Sequence, residues 1–225
     1  PLRWFLTTIG ADGPSNAAAS LGTLVHALAE ENPHGTAEEL TEALEARIEE
    51  LGYNLDTWAG RHADRHARAI VDNLASYLVG VPGRVEVERM VEAQVEGVTI
   101  RGRMDRLEHV DEGVRVTDLK TGKGGHNAKT VPDNPQLAAY QMALLASGEQ
   151  VAGARIALLG GDKPKTFDQK PLEGKTLEEW RGKVREVAAI ARGPYFEATP
   201  SDEACLYCSF DRLCPARECG RKVVE

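Results

Sequence analysis

The chain has 225 residues, 42% hydrophobic and 28% charged, which is enough apolar side chain for a sizeable buried core and excludes a disordered or low-complexity polypeptide. Its formal charge of −8 excludes a coat of positive charge for non-specific nucleic-acid binding, but leaves room for a local basic groove. No apolar run is long enough to span a bilayer and no opening stretch reads as a signal peptide, so a cytoplasmic location with reduced thiols is expected.

Residues 1–9 read as a short helix and 11–16 as a Gly/Pro/Ser turn region. Because it opens at Pro1 on an apolar run (Leu2, Trp4, Phe5, Leu6), the chain reads as a piece cut from a longer one. Residues 17–31 are helical in pattern, with a stripe of Leu21, Leu24, Val25 and Leu28 and with His26 beside it. Thr36-Ala37-Glu38-Glu39 has the form of a capping box that opens a helix to about Leu51. A longer helix covers Trp58 to Val79 and ends at Gly80 and Pro82. Strands follow at about 84–93, 98–107 and 114–120, then a polar, glycine-bearing loop from Gly122 to Pro132 that reads as mobile. Asn134-Pro135 supplies an N-cap and a first-turn proline for a helix to about Ala146. Arg155–Leu159 reads as a short buried strand, and Thr176-Leu177-Glu178-Glu179 as a second capping box opening a helix to about Arg192. Helices, a three-strand meander, then helix, strand and helix predict an α/β core behind a helical N-terminal region.

The meander holds the most informative stretch. Two apolar-alternating runs flank Asp111-Glu112-Gly113, a hairpin signature. With Asp111 and Glu112 as the loop, Glu108 faces Arg115, Leu107 faces Val116, Met104 faces Leu119 and Asp105 faces Asp118. A one-residue slip sets Glu108 against Val116 and is chemically worse. The chosen register puts two aspartates across from each other, with Cα atoms about 4.5–5.5 Å apart. Lys120 shares a face with Asp118. A solvated polar face with an incidental acid pair is the bland explanation. A divalent cation between the carboxylates would turn their repulsion into attraction.

Other candidates are weighed singly. A lone histidine beside an apolar stripe, such as His26, is usually structural. His62 and His66 are spaced i, i+4 but lie among Arg61, Asp64, Arg65 and Arg68, which reads as a solvated helix face rather than a metal clamp. Gln136 and Tyr140 share one helix face, which alone means only a polar edge. Lys120, Lys123 and Lys129 fall in a stretch without acids, and Lys163, Lys165, Lys170 and Lys175 cluster later, while residues 38–50 carry much of the acidity. All four cysteines close the chain as Cys205-x2-Cys208-x5-Cys214-x4-Cys219. Clustered thiols without a secretion signal point to a metal, either zinc or an iron–sulfur cluster.

Taken in order, Gly22-x3-His26, Gly102-x2-Asp105-Arg106, Asp118-x-Lys120-Thr121-Gly122 and Gln136-x3-Tyr140 resemble the RecB-type branch of the PD-(D/E)xK nucleases, over nearly the whole chain. Cys205, Cys208 and Cys214 are similar to the tail of its iron–sulfur members, the nuclease domains of AddB-like and AdnB-like helicase–nucleases. In those members a fourth thiolate precedes a proline–aromatic segment like Pro1 to Phe5, and here the chain begins at that proline. Cys219 is the other candidate for the fourth ligand.

The resemblance implies a restriction-endonuclease-like core, a mixed sheet flanked by helices, in one integrated domain of three parts. Residues 1–82 form the helical part with the His motif, 83–195 the catalytic core and 196–225 the cysteine-rich tail. It further implies that His26, Asp105, Asp118 and the carbonyl of Leu119 hold Mg²⁺ or Mn²⁺. Lys120 would orient the attacking water and stabilise charge on the phosphate, and Gln136 and Tyr140 would position the strand. Arg103, Lys123 and Lys129 are the expected DNA contacts. Cys205, Cys208 and Cys214 are the expected ligands of a [4Fe-4S] cluster, with Cys219 or an upstream thiolate as the fourth and zinc as the alternative metal. The expected partners are DNA and a helicase domain or subunit, in double-strand-break repair. A free-standing nuclease of the same fold is one alternative. A non-catalytic DNA-end-binding scaffold is the other, and it would be expected to lack Asp105, Asp118 or Lys120, all of which are present.

Overall fold

The computed structural model describes residues 1–11, 21–81, 83–206 and 208–217. The chain divides into two units, Ala18–Arg181 and a second made of Pro1–Ala17 with Gly182–Glu225. The larger unit is built on one five-stranded sheet in the order β1 (Val85–Val95), β2 (Val98–Val110), β3 (Gly113–Lys120), β4 (Val151–Leu158), β5 (Lys165–Gln169). Neighbours are antiparallel except β3 and β4, which run parallel across a helical crossover. The helices in chain order are α1 (Leu2–Thr8), α2 (Leu21–Glu31), α3 (Ala37–Arg47), α4 (Trp58–Val79), α5 (Pro135–Ala146), α6 (Gly174–Arg192) and α7 (Asp202–Cys205).

Helices cover both faces of the sheet. On one face α2, α3 and α4 bury Leu24, Leu28, Leu40, Leu44, Ile70 and Leu74 with Leu119, Ala157 and Leu159. On the other, α5 packs Leu137, Ala143 and Leu144 against Met104, Leu107, Val116, Ala154, Ile156 and Leu158. The period of two along β4, with Ala154, Ile156 and Leu158 on one side and Ala157 on the other, is that of a strand buried on both faces. This is the α/β mixed sheet expected from the sequence.

The local signals act as their chemistry dictates. Thr36 and Glu39 close a reciprocal capping box at the start of α3. Asn134 accepts from the N–H of Leu137 at 3.0 Å and starts α5. The turn between β1 and β2 is Glu96-Gly97, both at positive φ (52° and 75°), the backbone that a two-residue hairpin requires.

Three expectations need correction. The proposed box at Thr176 does not open α6: the helix starts at Gly174, and the Thr176 N–H donates to the Glu173 carbonyl inside its first turn. The strand expected at Arg155–Leu159 begins at Val151, through Gly153 at φ 115°, where a Cβ would meet the Gln169 carbonyl at 2.7 Å. Strand β5 was not anticipated. Its sequence Lys-Thr-Phe-Asp-Gln is too polar and too short to signal a strand, because it is an edge strand. The early residues of the first long helix, the turn before it, and Pro82 lie outside the described residues.

A charged network is buried between α4 and the sheet. Glu108 and Arg106 are both fully buried. The Tyr77 hydroxyl donates to the Glu108 carboxylate and lies 3.2 Å from Thr117 Oγ1, while Arg115 reaches Glu108 Oε2 at 2.9 Å. Burial and the neighbouring carboxylate push the Tyr77 phenol well above its ordinary range. Removing Glu108 leaves the buried Arg106 guanidinium without its counter-charge. Glu108→Ala is therefore expected to destabilise by about 3–5 kcal/mol, read by urea unfolding, and a loss below about 1 kcal/mol would show that water screens the cluster.

Candidate active site

The hairpin register holds as expected from Val110↔Gly113 through Leu107↔Val116 to Arg106↔Thr117. One rung further on, the N–H of Leu119 donates to Asp105 Oδ2 at 2.7 Å. Met104 and Leu119, expected to face each other, belong to opposite cores, Met104 with α5 and Leu119 with α2 and α4. The ladder opens at Asp105, and that opening makes the site.

Helix α2 brings His26 to the opening. Its Nε2 lies 3.0 Å from the Leu119 carbonyl and its Nδ1 3.4 Å from Asp105 Oδ1. The hydrogen bond to Asp105 raises the His26 pKa, against the opposing effect of burial, and Leu119 O and Asp118 add to the rise. Leu24, Val25 and Leu28 are buried on the same helix, so the stripe noted in the sequence aims the imidazole. Asp118 is 3% exposed, and its carboxylate receives Lys120 Nζ at 3.0 Å (Oδ1) and 2.8 Å (Oδ2), the second contact without hydrogen-bond alignment. Burial pushes the Asp118 pKa up, Lys120 opposes this, and Asp105 adds to the rise.

One residue was missed by the sequence reading. Glu88, on β1, joins His26 and Asp105 in a group whose ligand atoms all lie within 4.8 Å of one another, the one such group among the described residues. Asp118 is outside that group and is turned to Lys120. Glu88 has φ 48°, a left-handed backbone that costs a non-glycine residue energy. Burial raises its pKa, and Arg103 Nε sits 2.7 Å from its Oε2. The signal that could have found it is arithmetic: closing β1 and β2 on Glu96-Gly97 puts Glu88 opposite Asp105, between the pairs Val87↔Arg106 and Arg89↔Met104.

The Gln136/Tyr140 face of α5 is fastened to β2. Tyr140 OH donates to the Arg103 carbonyl at 2.8 Å, and Gln136 Nε2 lies 3.3 Å from that hydroxyl. The ring lies over Gly102, where a Cβ would come within 2.6 Å of Cε1. Gly102 is thus a glycine because an aromatic ring occupies its side-chain space. Lys123 and Lys129 are exposed on the loop after β3, and Lys129 N–H donates to Asn127 Oδ1 in a turn. Part of that loop is anchored, since Val131 is fully buried.

In the smaller unit, Cys205, Cys208 and Cys214 are free thiols lining a pocket of about 160 Å³ with Pro1, Leu2, Leu6 and Phe210. The opening segment packs on the later one: Leu2 N–H donates to the Glu197 carbonyl, and Phe5 stacks on Phe196 at 4.5 Å. Cys219 lies outside the described residues.

The family model described as PD-(D/E)XK nuclease superfamily matches residues 1–215. Gene 69 protein of Mycobacterium phage D29 is 26% identical over 139 residues, covering 59% of this chain and 49% of that protein. The chain therefore spans about half the length of that curated relative. Among solved structures, SSO0001 is similar with a TM-score of 0.41 at 20% identity, covering 86% of this chain and 85% of that one. A Eubacterium rectale protein named as a candidate exonuclease is similar with a TM-score of 0.47 at 14% identity, covering 97% and 80%.

The contact between Gly102 and Tyr140 is directly testable. Gly102→Ala is expected to destabilise by about 1–3 kcal/mol through overpacking, and by much less in a Tyr140→Ala background. Thermal unfolding of the four proteins in the cycle measures the coupling, and additive losses would mean that the ring moves freely.

Proposed function

The chain belongs to the PD-(D/E)XK nuclease superfamily, and on that premise we propose that it is a metal-dependent deoxyribonuclease, the nuclease module of a helicase–nuclease that processes double-strand breaks. The observation that carries this reading is the opening at the end of β3. There the His26 imidazole meets the Leu119 carbonyl and the Asp105 carboxylate accepts the Leu119 N–H, with Asp118 and Lys120 on either side of it in sequence. The proposed division of labour follows the three parts of the chain: residues 1–82 supply His26, 83–195 the catalytic core and 196–225 the cysteine tail.

The donor set fits a small hard divalent cation such as Mg²⁺ or Mn²⁺, which takes oxygen ligands and accepts imidazole. His26, Asp105, Asp118 and the Leu119 carbonyl would hold it, with Glu88 a further carboxylate in reach of His26 and Asp105. When bound, the ion supplies Lewis-acid polarisation of the phosphate and activation of water. The chain's own residues do the rest. Lys120 carries its ammonium beside Asp118, where it orients the attacking water and stabilises charge developing on the phosphate oxygens. Gln136 and Tyr140, held to β2 through the Arg103 carbonyl, position the strand to be cut. Lys123, Lys129 and Arg103 contact the phosphate backbone and carry no sequence information. Among the described residues, no helix is long and apolar enough to cross a membrane.

The same proposal places a [4Fe-4S] cluster on Cys205, Cys208 and Cys214, with Cys219 or an upstream thiolate as fourth ligand and zinc as the alternative metal. It is supported by the three thiols lining one pocket and by the packing of the opening segment against the tail.

Two measurements test these assignments. With end-labelled DNA and Mg²⁺ or Mn²⁺, Asp118→Ala and Lys120→Ala are each expected to lose at least about 10²-fold in turnover, and equal turnover by wild type and Asp118→Ala removes the nuclease reading. Anaerobically purified protein is expected to be brown, whereas a colourless, zinc-bearing preparation removes the cluster.

A further inference from the structure

One face of α4 is left unused by the proposed chemistry. Trp58, His62, Arg65 and His66 follow the i, i+4, i+7, i+8 spacing of a single helix face. The buried residues of the helix, Ala67, Ile70, Val71 and Leu74, lie toward the core. Trp58 stands at the first helical position and is 70% exposed. Its indole stacks on the His62 imidazole with ring centroids 5.4 Å apart and planes 5° from parallel. One face of the indole is thus already used in a stack and the rest is presented to solvent.

The stripe is continuous with the proposed site. Asn73, further along α4, donates to the carbonyls of Leu159 and Gly161, which ties the helix to the end of β4. β4 is paired with β3 at Lys120↔Leu158. Three residues past Lys120, Lys123 lies near enough that its charge, with burial the larger cause, holds the His66 pKa below its ordinary value. From Lys120 the surface therefore runs through Lys123 and His66 to Arg65 and the Trp58–His62 stack. The eight residues from His66 to Trp58 correspond to about 12 Å of helix. The nearby acid on this stretch, Asp64, is engaged by Arg68 at 3.3 Å.

We infer that the Trp58–His62 stack is a base-stacking platform for single-stranded DNA passing to or from the active site, with Arg65 and Lys123 meeting its phosphates. The occupant is argued from chemistry. Every base offers a flat π-face, and an exposed aromatic flanked by cations is how strands are held without sequence preference. A duplex buries its base faces in its own stack and gains nothing from such a ring. A protein partner would call for further apolar side chains along the stripe, and its other members are histidine and arginine. The inference uses the nuclease reading only for the direction of the path.

The test is equilibrium binding of the full chain to a labelled oligothymidylate of roughly twenty nucleotides, long enough to cover a strand-binding site, by fluorescence anisotropy in EDTA. No cleavage is required or possible under those conditions. Trp58→Ala is expected to weaken binding by about 5- to 150-fold, the range for losing one base–aromatic stack. Trp58→Phe is expected to stay close to wild type, and affinity for blunt duplex is expected to be unaffected by Trp58→Ala. Unchanged oligothymidylate binding by Trp58→Ala overturns the inference, and so does an equal loss for duplex. Wild type that binds this way yet fails to cleave with Mg²⁺ or Mn²⁺ supports the platform and overturns the nuclease reading. Wild type that cleaves while Trp58→Ala binds as tightly does the reverse.

Discussion

The site depends on one hydrogen bond between a side chain and the backbone, from the N–H of Leu119 to the carboxylate of Asp105. Up to Arg106↔Thr117 the hairpin is an ordinary ladder whose side chains alternate between two cores. At Asp105 a carboxylate takes the amide of the opposite strand, and the two strands send their next apolar residues to different sides of the sheet. The Leu119 carbonyl is left facing His26 instead of serving only as a rung. A buried amide must have a partner, and here it is a side chain that also carries a charge. The constraint reaches β1, where Glu88 takes a left-handed backbone between the rungs Val87↔Arg106 and Arg89↔Met104 that flank Asp105. Strain of this kind persists only where the surroundings over-determine it. The surroundings here are two paired strands and a helix bearing an imidazole.

Behind the opening the sheet is clamped by charge as well as by packing. Glu108 and Arg106 follow Asp105 on β2, and Tyr77 and Thr117 complete the network from α4 and β3. An apolar core could fill that volume, and buried ion pairs are weak evidence for stability. What the network does supply is direction. Tyr77 and Asn73 sit four residues apart on α4 and fix that helix to β2 and β3 at one level and to the end of β4 at the next. Helix α4 is thereby aligned with the end of the sheet where Lys120 lies. On the other face Gln169 does similar work, with its amide 3.0 Å from the carbonyls of Pro132 and Asn134 at the start of α5. That contact sets the helix carrying Gln136 and Tyr140.

Much of this was legible in the sequence, and the illegible parts share a cause. The hairpin register follows from two strands of alternating residues and a turn, which are local quantities, and it holds for the paired stretch. The Thr36 box and the Asn134 cap are equally local. Chain-order motifs located His26, Asp105, Asp118 and Lys120 as candidates without any knowledge of distance. What they could not reveal is that Asp105 meets an amide and that Asp118 turns to Lys120, because those depend on where the ladder opens. Glu88 was hidden because an acid in an alternating strand looks like a solvent-facing residue until β1 is paired. Strand β5 was hidden because an edge strand tolerates polar residues, and its role is carried by Gln169, a residue with no strand signal of its own. Thr176 misled in the opposite direction: it has the spacing of a capping box, but the helix already begins at Gly174.

The two histidines on α4 show what spacing alone leaves out. Spaced i, i+4 among arginines, His62 and His66 belong to a solvated helix face, and the structure leaves them there. Two imidazoles one turn apart have the spacing of a metal clamp, which the surrounding arginines oppose. In the fold each has a different neighbour. His62 lies flat against Trp58, and His66 feels Lys123 from the loop after β3. Neither contact is visible in the spacing, since one requires a rotamer and the other a loop that returns to the helix. A ring that is stacked and exposed, beside cations that lead back to Lys120, has the properties of a surface for an anionic chain of flat rings. The exposed Trp58–His62 stack, rather than the histidine spacing, is what gives this solvated face a use.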